Sequence, residues 1–238
     1  MRHSQYNRMR VPRIFYCRES HRGCFPLWRL RTLCFDLDCA TIEKKEAAES
    51  AGRKTMGKKL RLLFIGNSHT YYNDMPNMVA EKSRKEGYDC EVTMIAHGGW
   101  FLEQHVQEPD VRFNILYGHY DYVVLQEHSH PFGPEEKLFD AVRQLNTWIR
   151  EANAKPLVYM TWAKKDEPDQ QACMAKAFRQ AAQEANALLA PVGELWWEYR
   201  KNHPEVEMYA EDNAHASREG SEFAADCIWN TIKESCEQ

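Results

Sequence analysis

The chain has 238 residues, 43% hydrophobic and 28% charged, which is enough to bury a full core in one domain or a domain with an appendage. A formal net charge of −4 argues against nucleic acid as the main partner, because neutralising phosphates needs a basic face. No run approaches the roughly 18 apolar residues of a membrane span, so no membrane partner is expected.

The first quarter differs from the rest. Residues 1–55 hold 12 Lys+Arg against 6 Asp+Glu, a net +6, leaving 19 against 29, a net −10, for the remainder. The segment lacks sustained periodicity, and "TIEKKEAAESAGRKTMGKK" reads as a polar linker. Residues 1–57 are therefore expected to be an N-terminal extension, disordered or poorly packed, and residues 58–238 the folded domain. An arginine-rich tail could bind an anionic surface; translation starting at Met56 would instead explain the break in charge. The same start would account for the cysteines, since Cys17, Cys24, Cys34 and Cys39 fall in the extension. Their spacings match no familiar zinc pattern, no CxxC occurs, and no apolar signal-peptide core is visible. Free thiols in a reducing, cytoplasmic setting are the simplest reading.

From Leu60 onward the pattern becomes regular. "LRLLFIG" predicts a first strand, and a helix is expected from about Pro76 to Glu86, where proline suits a first turn. "DCEVTMIAHGG" predicts a second strand ending in glycines, and "YDYVVLQE" a third, buried on both faces. Leu138, Val142, Leu145 and Ile149 recur at helical spacing, and "KPLVYMTW" predicts a fourth strand. The Ala-rich "DQQACMAKAFRQAAQEANALLA" predicts a helix, "PVGELW" a short fifth strand, and Ser217 the cap of a last helix. Strands alternating with helices predict a parallel sheet covered on both sides.

In such a sheet, ligands bind beyond the carboxyl ends of the strands. That edge would gather Gly66-Asn67-Ser68-His69, His97-Gly98-Gly99, Gln126-Glu127-His128-Ser129 and Thr161-Trp162. A serine hydroxyl needs a base within hydrogen-bond reach, itself oriented by a third group. "EDNAHASREG" offers the pair: Asp212 and His215 lie close enough for one turn to bring carboxylate to imidazole. Each piece alone has a bland reading, a turn serine and a helix cap; together they point to a nucleophile.

These residues also carry a resemblance. The chain from about Leu60 to Lys233 resembles the SGNH (GDSL-type) hydrolase superfamily through Gly66-Asn67-Ser68 and through Asp212-x-x-His215. "LFIGNSHTYYNDMP", "VVLQEHS" and "DNAHASREGSEFAADC" are more closely similar to a bacterial branch with GNSxT and LQExS blocks. The resemblance implies a flavodoxin-like three-layer α/β/α sandwich with a five-stranded parallel sheet, and an esterase mechanism without a cofactor or metal. It implies Ser68 as nucleophile, His215 as general base and Asp212 as its orienting acid. The oxyanion donors it implies are the Ser68 amide and a glycine amide, Gly98 or more favourably Gly99. Its third donor, an Asn in a Gly-x-Asn-Asp block, is absent; the Gln126 amide is expected to stand in, ahead of His130. Losing one such donor typically costs about 100–1000-fold in rate.

Around this core, Asn67, His69, Trp100, Glu127 and Trp162 are candidate pocket residues. Asn67 and His69 would shape the turn or touch substrate, Trp100 and Trp162 could stack on a sugar ring, and Glu127 is either a buried partner or a pocket carboxylate. His69, His97, His128, His130 and His215 all fall at strand ends, which leaves a metal-dependent hydrolase as an alternative, although no HExxH accompanies them. The expected substrate is a small acyl ester, an acetylated sugar among the candidates; a binding protein on the same scaffold is the other alternative. The oligomeric state is not legible.

Overall fold

A computed structural model describes residues 57–237, so the expectations for residues 1–56 fall outside the described residues. Five strands form one parallel sheet in the order β2-β1-β3-β4-β5. They are β1 Lys58–Gly66, β2 Tyr88–Ala96, β3 Tyr122–Gln126, β4 Lys155–Tyr159 and β5 Leu188–Ala190. The helices are α1 Ser68–Tyr71, α2 Met75–Lys85, α3 Leu102–Val106, α4 Pro109–Tyr117, α5 Glu135–Glu151, α6 Gln170–Glu184, α7 Val192–Asn202 and α8 Arg218–Glu237. A single 3₁₀ turn, Tyr72–Asp74, joins α1 to α2.

The strand sequences explain the layering, because successive side chains point to opposite faces. Leu60, Leu62 and Phe64 of β1 face a core shared with α2, α7 and α8. Leu63 and Ile65 face the opposite core, built with α3, α4, α5 and α6. Val124 and Leu157 repeat the first face, and Val123, Leu125 and Val158 the second. With both faces covered, β3 carries the apolar run Val123-Val124-Leu125, each side chain contributing about 1.5–3 kcal/mol by burial. This is the expected three-layer α/β/α sandwich.

Two elements depart from the sequence expectation. "PVGELW" is not a strand: it opens α7, and β5 is the preceding "LLA" that the Ala-rich pattern had assigned to a helix. Asn186, at φ 48°, ends the helical path in the left-handed region, and Leu188–Ala190 then pair with Leu157–Tyr159. Pro191 has no N–H to offer a ladder, so the strand stops there and α7 begins. Helix α4 carried no expectation, because it buries only Val111 and Ile115 and presents too thin an apolar stripe to recognise.

The strand order places a topological switch beside β1, whose neighbours β2 and β3 are reached by crossovers in opposite directions. The first turn of α7 is pressed against the chain after β4: a Cβ at Gly193 would lie 1.9 Å from the Thr161 carbonyl oxygen. Gly193→Ala should therefore destabilise the domain by about 1–3 kcal/mol, measured by urea unfolding.

Candidate active site

Strand β1 ends at Gly66, and the next two residues build the turn. Asn67 is the N-cap of α1: its side-chain oxygen accepts the His69 amide at 3.0 Å, and its carbonyl accepts the Thr70 amide at 2.9 Å. Its side-chain NH₂ donates to the Trp100 carbonyl at 2.9 Å, tying this turn to the one after β2. Asn67 is buried and fully engaged, so it shapes the turn and does not line an open pocket. Ser68 follows at the start of α1, half-buried.

From β3, Gln126 closes the turn from below. Its side-chain oxygen accepts the Asn67 amide and the Thr70 hydroxyl, both at 2.8 Å, and its NH₂ donates to the Glu127 carbonyl. The residue is fully buried. The expectation that its amide completes an oxyanion hole is therefore corrected: the oxygen holds the Asn67–Thr70 turn and the NH₂ is taken by the Glu127 carbonyl. Gly66 is needed for this closeness, since a Cβ there would lie 2.5 Å from both the Gln126 oxygen and the Thr70 hydroxyl.

Asp212 and His215 lie on the loop before α8. Tyr209 and Ala216 pair antiparallel, and Ser217 donates its amide to the Met208 carbonyl, so the loop between them is closed at its base. Asn213, at φ 58°, turns the chain back, and Asp212 Oδ1 accepts the amides of Ala214 at 3.0 Å and His215 at 2.9 Å. The other Asp212 oxygen meets His215 Nδ1 at 2.5 Å, and His215 Nε2 lies 2.7 Å from Ser68 Oγ. Burial pushes the Asp212 carboxyl up, but the hydrogen bonds from the His215 ring and the two amides outweigh it and hold the pKa at about 2.

Asn73, also left-handed at φ 54°, fastens the two halves together. Its NH₂ donates to the carbonyls of Ala216 and Ser217 and to Ser221 Oγ. The segment carrying the serine and the loop carrying the histidine are thus pinned by one amide.

After β2, His97-Gly98-Gly99-Trp100 forms a turn closed by the Trp100 amide on the His97 carbonyl, with Gly99 at φ 73°. Positive φ at its third residue makes glycine the natural occupant. The Gly99 and Ser68 amides make no hydrogen bond among the described residues. Trp100 is half-buried with its ring against His97, at 4.1 Å between centroids.

Two other pocket candidates are corrected by burial. Trp162 is fully buried, stacked on Trp196 at 3.8 Å, and donates its ring N–H to the Ala214 carbonyl at 2.9 Å. It supports the loop bearing Asp212 and His215 and offers no face to a sugar. Glu127, 3% exposed, accepts the His128 amide at 2.6 Å and the Leu102 amide at 3.3 Å, bracing the start of α3. It is the buried-partner alternative, and burial pushes its carboxyl up to about 7. His69 is 8% exposed, edge-on to Trp162 and His130, and burial together with the neighbouring imidazoles lowers its pKa well below the ordinary value.

Of the strand-end histidines, His69 packs against both His130 and His215, while His97 and His128 lie apart. His128 stacks on Phe101 and bonds the Pro131 carbonyl, His97 faces Trp100, and no group of three or more metal-type donors occurs among the described residues. His105 was missed from the sequence. Its Nε2 holds the Gly66 carbonyl at 2.8 Å, and only an unassigned helix brought it there. His130, the lesser oxyanion candidate, is held at about 4 by burial and by nearby Lys164.

Gln126→Leu should cost about 2–4 kcal/mol in urea unfolding, because it strands the buried Asn67 amide and Thr70 hydroxyl. For Glu127 the folded pKa lies above the unfolded value, so the folded state holds its proton longer. Stability should fall as pH rises from about 4.5 to about 7, and Glu127→Gln should flatten that slope in the same assay.

Comparison with known proteins adds family to geometry. No family model matches the chain, and no curated protein does. Among solved structures, a protein of Slackia heliotrinireducens classed with the SGNH hydrolases is 31% identical, covering 74% of this chain and 100% of that one, with a TM-score of 0.63. A carbohydrate esterase family 3 protein from Talaromyces cellulolyticus is 12% identical over 75% of this chain and 98% of its own, at a TM-score of 0.57. A catalytic mutant of an acetylxylan esterase from Geobacillus stearothermophilus is 16% identical over 74% and 95%, at 0.53. At those identities the last two share the fold alone. The full coverage of the Slackia protein, at nearly one residue in three identical, carries the conclusion: the chain belongs to the SGNH (GDSL-type) hydrolase superfamily.

Proposed function

We propose that this hydrolase is a serine esterase in which Ser68, His215 and Asp212 act as a catalytic triad. The observation that carries the reading is the continuous chain from Asp212 through His215 to Ser68, at 2.5 and 2.7 Å. Ser68 Oγ attacks the ester carbonyl while His215 Nε2 takes its proton, and Asp212 stabilises the resulting imidazolium. The oxyanion is received by the Ser68 and Gly99 amides. His215 then gives the proton to the leaving alcohol, and water repeats the sequence on the acyl-serine to release the acid.

The substrate proposed is a small polar ester, an acetylated carbohydrate being the favoured example. Tyr71 and Tyr72, each 37% exposed, and the half-buried Trp100 supply aromatic surface next to the serine. The acetylxylan and family 3 carbohydrate esterases sharing this fold make such a substrate reasonable to test. Among the described residues, Cys90, Cys173, Cys227 and Cys236 form no disulfide.

A fluorophosphonate probe should label the folded protein at Ser68 and leave Ser68→Ala unlabelled. Ser68→Ala and His215→Ala should each lower kcat on aryl acetates by at least about 1000-fold without changing the unfolding midpoint. Absence of an adduct in folded protein would leave a binding protein on a hydrolase scaffold. Loss of activity with a chelator, restored by zinc, would leave a metal hydrolase.

A further inference from the structure

The base His215 lies between two aromatic rings. On one face is Tyr72, with ring centroids 4.4 Å apart and planes 16° from parallel. On the other is His69, at 4.8 Å and 20°. The two rings come from one short stretch, α1 and the 3₁₀ turn, which also carries the serine. The Asn73 amide holds that stretch against the loop bearing His215, so the sandwich is fixed from both sides. We propose that Tyr72 is a positioning residue that sets the proton affinity of His215, its ring face stabilising the imidazolium formed when Ser68 is deprotonated.

The physics is that of a cation over an aromatic face. A cation within about 6 Å of the ring centroid is attracted by the negative π face, more strongly where water is partly excluded. The proton arriving on His215 makes it such a cation, 4.4 Å from Tyr72. The second face must then not carry a like charge. His69 meets this requirement, since burial and its imidazole neighbours hold it neutral at ordinary pH. The other groups facing the ring are Asp212 from its own loop and His130 from the segment after β3, itself held neutral, with Lys164 beyond it. Asp212 stabilises the imidazolium at its edge, and Tyr72 at its face.

The proposal rests on His215 being the general base, and two readouts keep the claims separate. In the full-length protein, kcat/KM on an aryl acetate should fall on the acid side as His215 becomes protonated. Tyr72→Leu should move that limb to lower pH by about half a unit to one unit and lower the plateau about three- to tenfold, because a less basic imidazole is a poorer base. Tyr72→Phe keeps the ring face and should keep the wild-type limb. A purely structural role would lower the plateau and leave the limb in place.

Independently of turnover, the His215 ring can be titrated by NMR in Ser68→Ala protein, with and without Tyr72→Leu. The same downward shift is expected there. If the wild type hydrolyses no ester, the esterase reading fails while this titration still tests the stacking. Should Tyr72→Leu not fold, pentafluorophenylalanine at position 72 keeps the shape and reverses the ring's charge distribution; it should lower the limb at least as far. An unmoved His215 titration in either variant, or Tyr72→Phe behaving as Tyr72→Leu, overturns the proposal.

Discussion

The hydrogen bond from the Asn67 amide to the buried Gln126 oxygen is the constraint on which the site depends. It joins the first residue after β1 to the last residue of β3, across the two strands that flank the topological switch. The same oxygen takes the Thr70 hydroxyl, so both ends of the first turn of α1 are referred to one fixed point. The fully buried Gln126 makes these bonds in a setting where an unmade one is costly, so the turn has little freedom to open. Ser68, between the two anchored residues, inherits that rigidity. The Gly66 carbonyl, held by His105 and by the His97 amide, completes the frame.

Electrostatics around the serine follow from how dry the surroundings are. Three imidazoles, of His69, His130 and His215, lie within contact distance of one another in sequence, as a line of rings. Were all three protonated, their mutual repulsion in a poorly solvated space would be severe. Burial removes the problem for His69 and His130 by keeping them neutral. His215 alone has a carboxylate partner, and Asp212 stays ionised because two backbone amides and the ring share its charge.

Burial decides the difference between a site residue and a support. Trp162 and Glu127 come from segments at the correct edge of the sheet, and both were reasonable candidates to face a ligand. Trp162 instead holds the Ala214 carbonyl, one residue from His215, and Glu127 holds the amide that starts α3. Both act on the site through backbone they keep in place. Removing either would displace elements and not simply delete a contact.

Much of the architecture was legible in the sequence because it is local. The apolar runs of β1, β3 and β4, the spacing of Leu138 to Ile149, and the Gly-Asn-Ser and Asp-x-x-His blocks are short patterns with one dominant physical cause each. The β5–α7 boundary was misread because an Ala-rich helix and a three-residue strand share composition, and only pairing with β4 chooses between them. The direction in which a side chain faces was beyond the sequence altogether. Gln126 stands next to the site in any reading, but whether its amide meets an oxyanion or the Asn67 backbone depends on the register of β1 against β3. The sequence determined which residues could react; the packed sheet decided which of them are free to.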